Sequence, residues 1–244
     1  MTTEKIAIKG VIFDLWDTLV FDEPSIEEER RIERIDRMYD VLVKSGHIIS
    51  REQLAFAYNG VDSMIAKQAK EYKALTILEQ INIILEIIRL KIGKNVLARL
   101  QDAYNRPNIS RLSPEVQGAR KLVERLSRRY RLGLISNTER SSGEHIMQAY
   151  PSLLGRISVT YFSDVRKFRK PHPKTFFTVA TELDLDPAEC VMIGNSEQDD
   201  CMGAIECGMK AILFASPRLG VSSNFKPRVS SLEEIPELIQ KLNK

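Results

Sequence analysis

The chain opens with an apolar run, residues 6–13, broken only by Lys9 and stopped abruptly by Asp14. A continuous run, rather than an alternating one, predicts a strand buried on both faces. The period then changes. Over residues 26–44, Ile32, Ile35, Met38, Tyr39, Leu42 and Val43 recur at spacings of three and four, which predicts a helix ended by Gly46. Ser50 with Gln53 reads as a capping box opening a second helix. Residues 76–92, closed by Gly93, predict a third helix and residues 95–104 a fourth. No strand pattern interrupts this block.

Past Asn105 the pattern changes again. Ser113-Pro114 reads as an N-cap followed by proline at the first helical position, starting a helix that runs to about residue 127. Apolar runs at 132–136, 158–162, 190–193 and 211–214 predict strands. Helices are expected over 173–183 and 200–206, the latter closed by Gly208, and Ser231 with Glu234 caps a last amphipathic one. Buried strands alternating with helices predict an α/β fold, a doubly wound, Rossmann-like parallel sheet. Such sheets place their sites beyond the carboxyl ends of the strands. Asp14, Ser136 and Asn195 each stand at such an end, so the three are expected in one site.

Composition narrows the function. The 244 residues suit one large or two modest domains, and a charge of +3, the difference of 36 basic and 33 acidic residues, has no like-charge block to favour nucleic acid. The most apolar segment, 75–92, is interrupted by Glu79, Glu86, Arg89 and Lys91, so no span or membrane partner is expected. The start, MTTEKIAIKG, lacks the layout of a signal peptide. Cys190, Cys201 and Cys207 form no C-x-x-C motif and read as buried thiols of a cytoplasmic protein. Three scattered histidines exclude an H-E-x-x-H zinc site.

Taken alone, Asp14 reads as a turn former. Four stretches together say more. VIFDLWDTLV around Asp14, LISNT at 134–138, RKPHPKTF at 169–176 and VMIGNSEQDDCMGAIECGM at 191–209 resemble, in order, the four motifs of the haloacid dehalogenase superfamily. The resemblance implies a core formed by residues 1–22 and 107–244, with residues 23–106 inserted as an all-helical cap. It also implies a hydrolase in which the Asp14 carboxylate attacks the substrate and forms a covalent intermediate that water then cleaves. Lys170 and Ser136 are the expected catalytic partners, supplying charge and a donor to an anionic substrate. Thr18 and Asn137 are expected beside the substrate, Thr18 also bracing the loop after Asp14. Magnesium is the implied cofactor, with Asp14, the Trp16 carbonyl, Asn195 and Asp200 as its expected ligands.

Two positions depart from the family's phosphatases. These carry a second Asp two residues after the nucleophile, as general acid, where this chain has Trp16. They also carry Asp on the metal where this chain has Asn195, which brings no charge. Asp17 does not simply replace the acid, because adjacent residues leaving a strand point in different directions. Three readings follow. One is a magnesium-dependent phosphatase of small phosphorylated molecules, working best on aryl or acyl phosphates, whose leaving groups need no proton. Another is a 2-haloacid dehalogenase; such enzymes have an aromatic residue at the place of Trp16 but Gly at the place of Asp17. Their substrate carboxylate would need a cap arginine, and Arg30, Arg31, Arg34 and Arg37 are in place, though that helix reads better as a solvated charged face. The third is a non-catalytic member that binds a ligand or a protein. The apolar segment 75–92 fits burial within the cap or a homodimer interface.

Overall fold

The computed structural model describes residues 6–21, 23–220 and 222–243, the side chain of Ile109 excepted; the expected start of the chain and the limit at residue 22 lie outside the described residues. Among the described residues six strands form one parallel sheet: β1 (Gly10–Phe13), β2 (Arg131–Ser136), β3 (Val159–Phe162), β4 (Cys190–Gly194), β5 (Lys210–Phe214) and β6 (Arg228–Val229). Their order is β3-β2-β1-β4-β5-β6, so the direction of winding reverses between β1 and β4. Phe13 pairs with Leu134 on one side and Ile193 on the other. Successive side chains leave opposite faces. Val11, Phe13, Leu134 and Ile193 enter one core cluster, while Ile12, Ile135 and Met192 enter the other. The sheet is covered on both sides, as the unbroken apolar strands predict.

Four helices lie between β1 and the rest of the sheet: α1 (Pro24–Lys44), α2 (Arg51–Lys70), α3 (Ile77–Ile87) and α4 (Lys94–Ser110). Their apolar stripes close on a separate core that includes Ile35, Met38, Leu42, Leu54, Ile81, Ile84 and Leu100. The segment 75–92 is thus spent mostly inside this layer. The remaining helices flank the sheet: α5 (Ala119–Ser127), α6 (Arg140–Ala149), α7 (Pro151–Leu154), α8 (Ser163–Arg166), α9 (Pro173–Glu182), α10 (Gly203–Glu206) and α11 (Ile235–Leu242).

Several boundaries differ from expectation, each for a local reason. β1 begins at Gly10 rather than residue 6: Ile6 is exposed, and the Ile8 amide donates to Asn243 Oδ1 (2.7 Å) instead of to a strand. α3 stops at Ile87 because Arg89 turns to φ 54° and the Leu90 amide closes back on the Leu85 carbonyl. α4 runs on through Pro107 to Ser110, so the expected limit at 106/107 falls inside a helix. Ser113-Pro114 does not start a helix. The Pro114 carbonyl accepts from Phe21 N and Val116 N donates to the Leu19 carbonyl, so the backbone there is committed to the loop after β1 and α5 begins only at Ala119. The expected capping boxes at Ser50 and Ser231 form, and Thr76 with Glu79 makes a further one at the start of α3.

Candidate active site

Ligands of doubly wound sheets bind where the winding reverses, and Asp14 and Asn195 follow the two strands that flank that point. The Asp14 amide donates to the Ile193 carbonyl (2.9 Å), so the ladder holds the residue to its end. The chain then turns tightly: Leu19 N and Val20 N both donate to the Leu15 carbonyl, and Asp17 takes φ 57°. Asp tolerates that left-handed conformation better than most residues. The turn brings Thr18, fully buried, back so that its hydroxyl donates to Asp14 Oδ2 (3.3 Å).

Lys170 reaches the same place from the loop before α9. Its Nζ donates to Asp14 Oδ1 at 2.6 Å and to Asp200 Oδ1 at 2.5 Å, all three groups being buried. Asp200 comes from a π-helical turn, Glu197–Met202, and accepts the Ser196 amide on its other oxygen (2.9 Å). A Cβ at Gly194 would stand 2.2 Å from Asp200 Oδ2, so glycine there makes room for the carboxylate. Glu197, on the same turn, is exposed and accepts from the Ser223 hydroxyl (2.5 Å).

Two buried carboxylates share one ammonium. Burial raises the Asp14 carboxyl to about 7; Lys170 pulls it down, and the Asp200 charge adds to the rise. Burial works against the charge on Lys170, but Asp14 and then Asp200 hold it above its usual value. With all three groups ionised the cluster carries one negative charge in excess, in a setting where charge is poorly solvated. The Asn195 amide lies 3.3 Å from both the Trp16 carbonyl oxygen and Asp14 Oδ2. With nitrogen turned there it donates to both; with oxygen turned there, three oxygens face one another. Those hard oxygen donors, with the excess charge, suit a small divalent cation.

Ser136 ends β2, and its buried hydroxyl has no hydrogen-bond partner among the described residues. Such orphaned groups are rare and call for an explanation. Asn137, expected beside substrate, spends its amide on the backbone. Its Nδ2 donates to the Lys170 carbonyl (3.1 Å) and its Oδ1 accepts the Lys170 amide (2.8 Å), which clamps the two loops together.

A cavity of about 260 Å³ adjoins this cluster, with Trp16 and Asn137 in its wall and the helical layer opposite. Here the charged-face expectation for α1 is corrected. Arg31 and Arg37 stay near the surface, paired with Glu28 and Glu33, but Arg30 and Arg34 are 4% and 6% exposed and border the cavity. Arg34 donates from Nε to the Tyr104 carbonyl (3.0 Å), from Nη1 to the Tyr58 hydroxyl (2.5 Å) and from Nη2 to Asn108 Oδ1 (2.8 Å). Arg30 donates to the Arg111 carbonyl and to Ser113 Oγ (3.1 Å), and its guanidinium carbon lies 6.0 Å from the centre of the Trp16 ring. The signal was available: Arg30, Arg34, Met38 and Leu42 recur every four residues, so the arginines continue the apolar stripe.

Comparison with known proteins gives the family. The profile of the haloacid dehalogenase-like hydrolases matches residues 8–208, a span that takes in the first three motifs and the fourth up to Gly208. The chain belongs to that family. A glyceraldehyde 3-phosphate phosphatase of Pyrococcus furiosus is 28% identical over 246 residues, 97% of this chain and 94% of that one. The rat N-acylneuraminate-9-phosphatase is 26% identical over 136 residues, 52% of each chain. Among solved structures, a 2-haloacid dehalogenase from Pseudomonas syringae pv. Tomato has a TM-score of 0.69 at 18% identity, covering 96% of this chain and 99% of its own. A HAD phosphatase from Thermococcus onnurineus has a TM-score of 0.62 at 22% identity, covering 95% and 98%. At those identities the two structures share the fold with this hydrolase and no more.

Proposed function

We propose that this hydrolase is a magnesium-dependent phosphatase of small phosphorylated molecules, with Asp14 as nucleophile and residues 23–106, extended to the end of α4, as its cap. The observation that carries the reading is the pairing of a buried Asp14–Lys170–Asp200 cluster with an unpartnered Ser136 hydroxyl. An Asp14 oxygen attacks phosphorus, the ester P–O bond breaks, and water then cleaves the acyl phosphate. Lys170 offsets the negative charge that gathers on the phosphoryl oxygens, and Ser136 donates to one of them. Thr18 and the Asn137 clamp position these groups.

Asp14, the Trp16 carbonyl and Asn195 would hold magnesium, with Asp200 beside them. The ion supplies positive charge that lets an anionic substrate approach a carboxylate. The Trp16 indole N–H is too weakly acidic to protonate a leaving group, so activated esters such as p-nitrophenyl phosphate are the fastest substrates.

The dehalogenase reading gains from the aromatic Trp16 but loses at the cavity. A 2-haloacid needs a guanidinium for its carboxylate, and Arg30 and Arg34 are already engaged. The wild-type protein is expected to hydrolyse p-nitrophenyl phosphate with magnesium and to release no chloride from 2-chloropropionate in EDTA. Chloride release without phosphatase activity would reverse the assignment, and silence in both assays would favour a binding protein.

A further inference from the structure

The cavity meets the Asp14 cluster at Trp16 and Asn137, and the rest of its wall consists of groups that the proposed chemistry does not use. Its volume, about 260 Å³, lies below the range of drug-sized sites and suits a moiety of a few carbons. Two arginines, Arg30 and Arg34, face three carboxylates, Glu27, Asp62 and Glu139, around it. The formal balance is one negative charge in excess.

Neither arginine offers a free fork. All three Arg34 nitrogens donate to neutral oxygens, and Glu27 approaches both guanidiniums, at 3.6 Å from Arg30 and 3.8 Å from Arg34. The remaining wall is rich in neutral hydrogen-bonding groups, notably the side chains of Tyr58, Tyr104, Gln80, Thr138 and Ser142. Among the described residues, Glu139, on the sheet side, receives side-chain hydrogen bonds only at long range, from Gln80 Nε2 (3.4 Å) and Ser142 Oγ (3.5 Å), and its charge acts on the Arg34 guanidinium without a hydrogen bond between them. A carboxylate held so loosely accepts readily from a substrate hydroxyl and repels a substrate carboxylate.

Resting on the phosphatase reading, we infer that the organic part of the substrate is an uncharged, hydroxyl-bearing chain, a polyol or small sugar, and that Glu139 helps to select it against carboxylated phosphates. A second anion would enter a cavity of excess negative charge with its cations already engaged, and desolvating it there is costly. The leaving alkoxide must take its proton from solvent, since the Trp16 indole N–H is too weakly acidic to supply one, so tight recognition and slow turnover go together. For that reason the test reads binding rather than rate.

Glycerol 3-phosphate and 3-phosphoglycerate differ in a terminal CH₂OH against a carboxylate. Calorimetry in magnesium buffer measures both on Asp14→Asn, which cannot turn them over, and on Asp14→Asn with Glu139→Gln. The polyol phosphate is expected to bind at least tenfold tighter to the first protein, and that ratio to fall several-fold in the second, with melting confirming that both are folded. Equal or tighter binding of phosphoglycerate, no binding of either, or a ratio indifferent to Glu139→Gln overturns the inference. Hydrolysis of p-nitrophenyl phosphate by wild type is measured separately. Its absence alongside the expected binding ratio would remove the phosphatase reading and leave the selectivity standing.

Discussion

Two buried charge clusters lie on either side of Trp16, and they are built on opposite plans. At the strand ends, two carboxylates divide one ammonium, and the Ser136 hydroxyl is left over. In the helical layer, Arg34 is wrapped by a carbonyl, a phenol and an amide, and the Tyr58 and Tyr104 rings lie 5.9 and 4.7 Å from its guanidinium carbon. One cluster keeps unspent capacity; the other has almost none. Burial alone therefore does not mark a reactive group. What marks it is burial with partners that fall short in charge or number, which is where strain on protonation state accumulates.

The contrast can be broken most severely at Asp14. Asp14→Asn is expected to abolish p-nitrophenyl phosphate hydrolysis, since no covalent intermediate can form. In EDTA the same variant should be more stable than wild type. The folded-state carboxyl is raised to about 7 by burial, so its ionisation is penalised in the fold. That penalty is complete above pH 7 and absent below the ordinary carboxylate range. Urea unfolding of both proteins from pH 4 to 8 should show the advantage of Asp14→Asn growing with pH. A variant that keeps activity, or is less stable throughout, would contradict the comparison.

Arg34→Met tests the saturated cluster and should do the reverse. It leaves the Tyr104 carbonyl, the Tyr58 hydroxyl and Asn108 without their donor, at a cost of about 3 kcal/mol in urea unfolding. The folded fraction should still hydrolyse p-nitrophenyl phosphate. Loss of turnover without loss of stability would move Arg34 into the chemistry.

Trp16 stands between the clusters, and its substitution sharpens the distinction. Trp16→Asp should raise turnover of alkyl phosphates, whose leaving oxygen needs a proton, by about 10²-fold at most, the lower end of a general acid's contribution. It should change p-nitrophenyl phosphate turnover far less. Equal acceleration of both substrates would refute the leaving-group argument. The smallest effect is expected at Asn195. Asn195→Asp adds a charge among the oxygen donors and should tighten magnesium about tenfold, near 1.4 kcal/mol, by calorimetry.

How far the sequence foretold this molecule follows the same division. Strand ends were legible because a two-sided parallel sheet forces long apolar runs, and the polar residue that stops each run is conspicuous at Asp14, Ser136 and Asn195. The helices α1 to α4 were legible from period and capping boxes. Ser113-Pro114 misled because the Leu19 and Phe21 backbone competes for that segment, a tertiary effect that local propensity does not contain. Arg34 was read as solvated because its type outweighed its phase. The cavity wall was hidden for a different reason. It joins Tyr58, Gln80, Tyr104 and Glu139 from four separate segments, and only packing brings them together.

Gly194 has a consequence for how such a site can change over generations. With a Cβ excluded by the Asp200 oxygen 2.2 Å away, that position offers a lineage no neutral alternatives. The next position is different: asparagine and aspartate have nearly the same shape, so residue 195 can alternate between them without disturbing the scaffold. The molecule thus couples an immovable residue to an adjustable one, and descendants can change the charge at the strand end in single steps while the frame around it stays frozen.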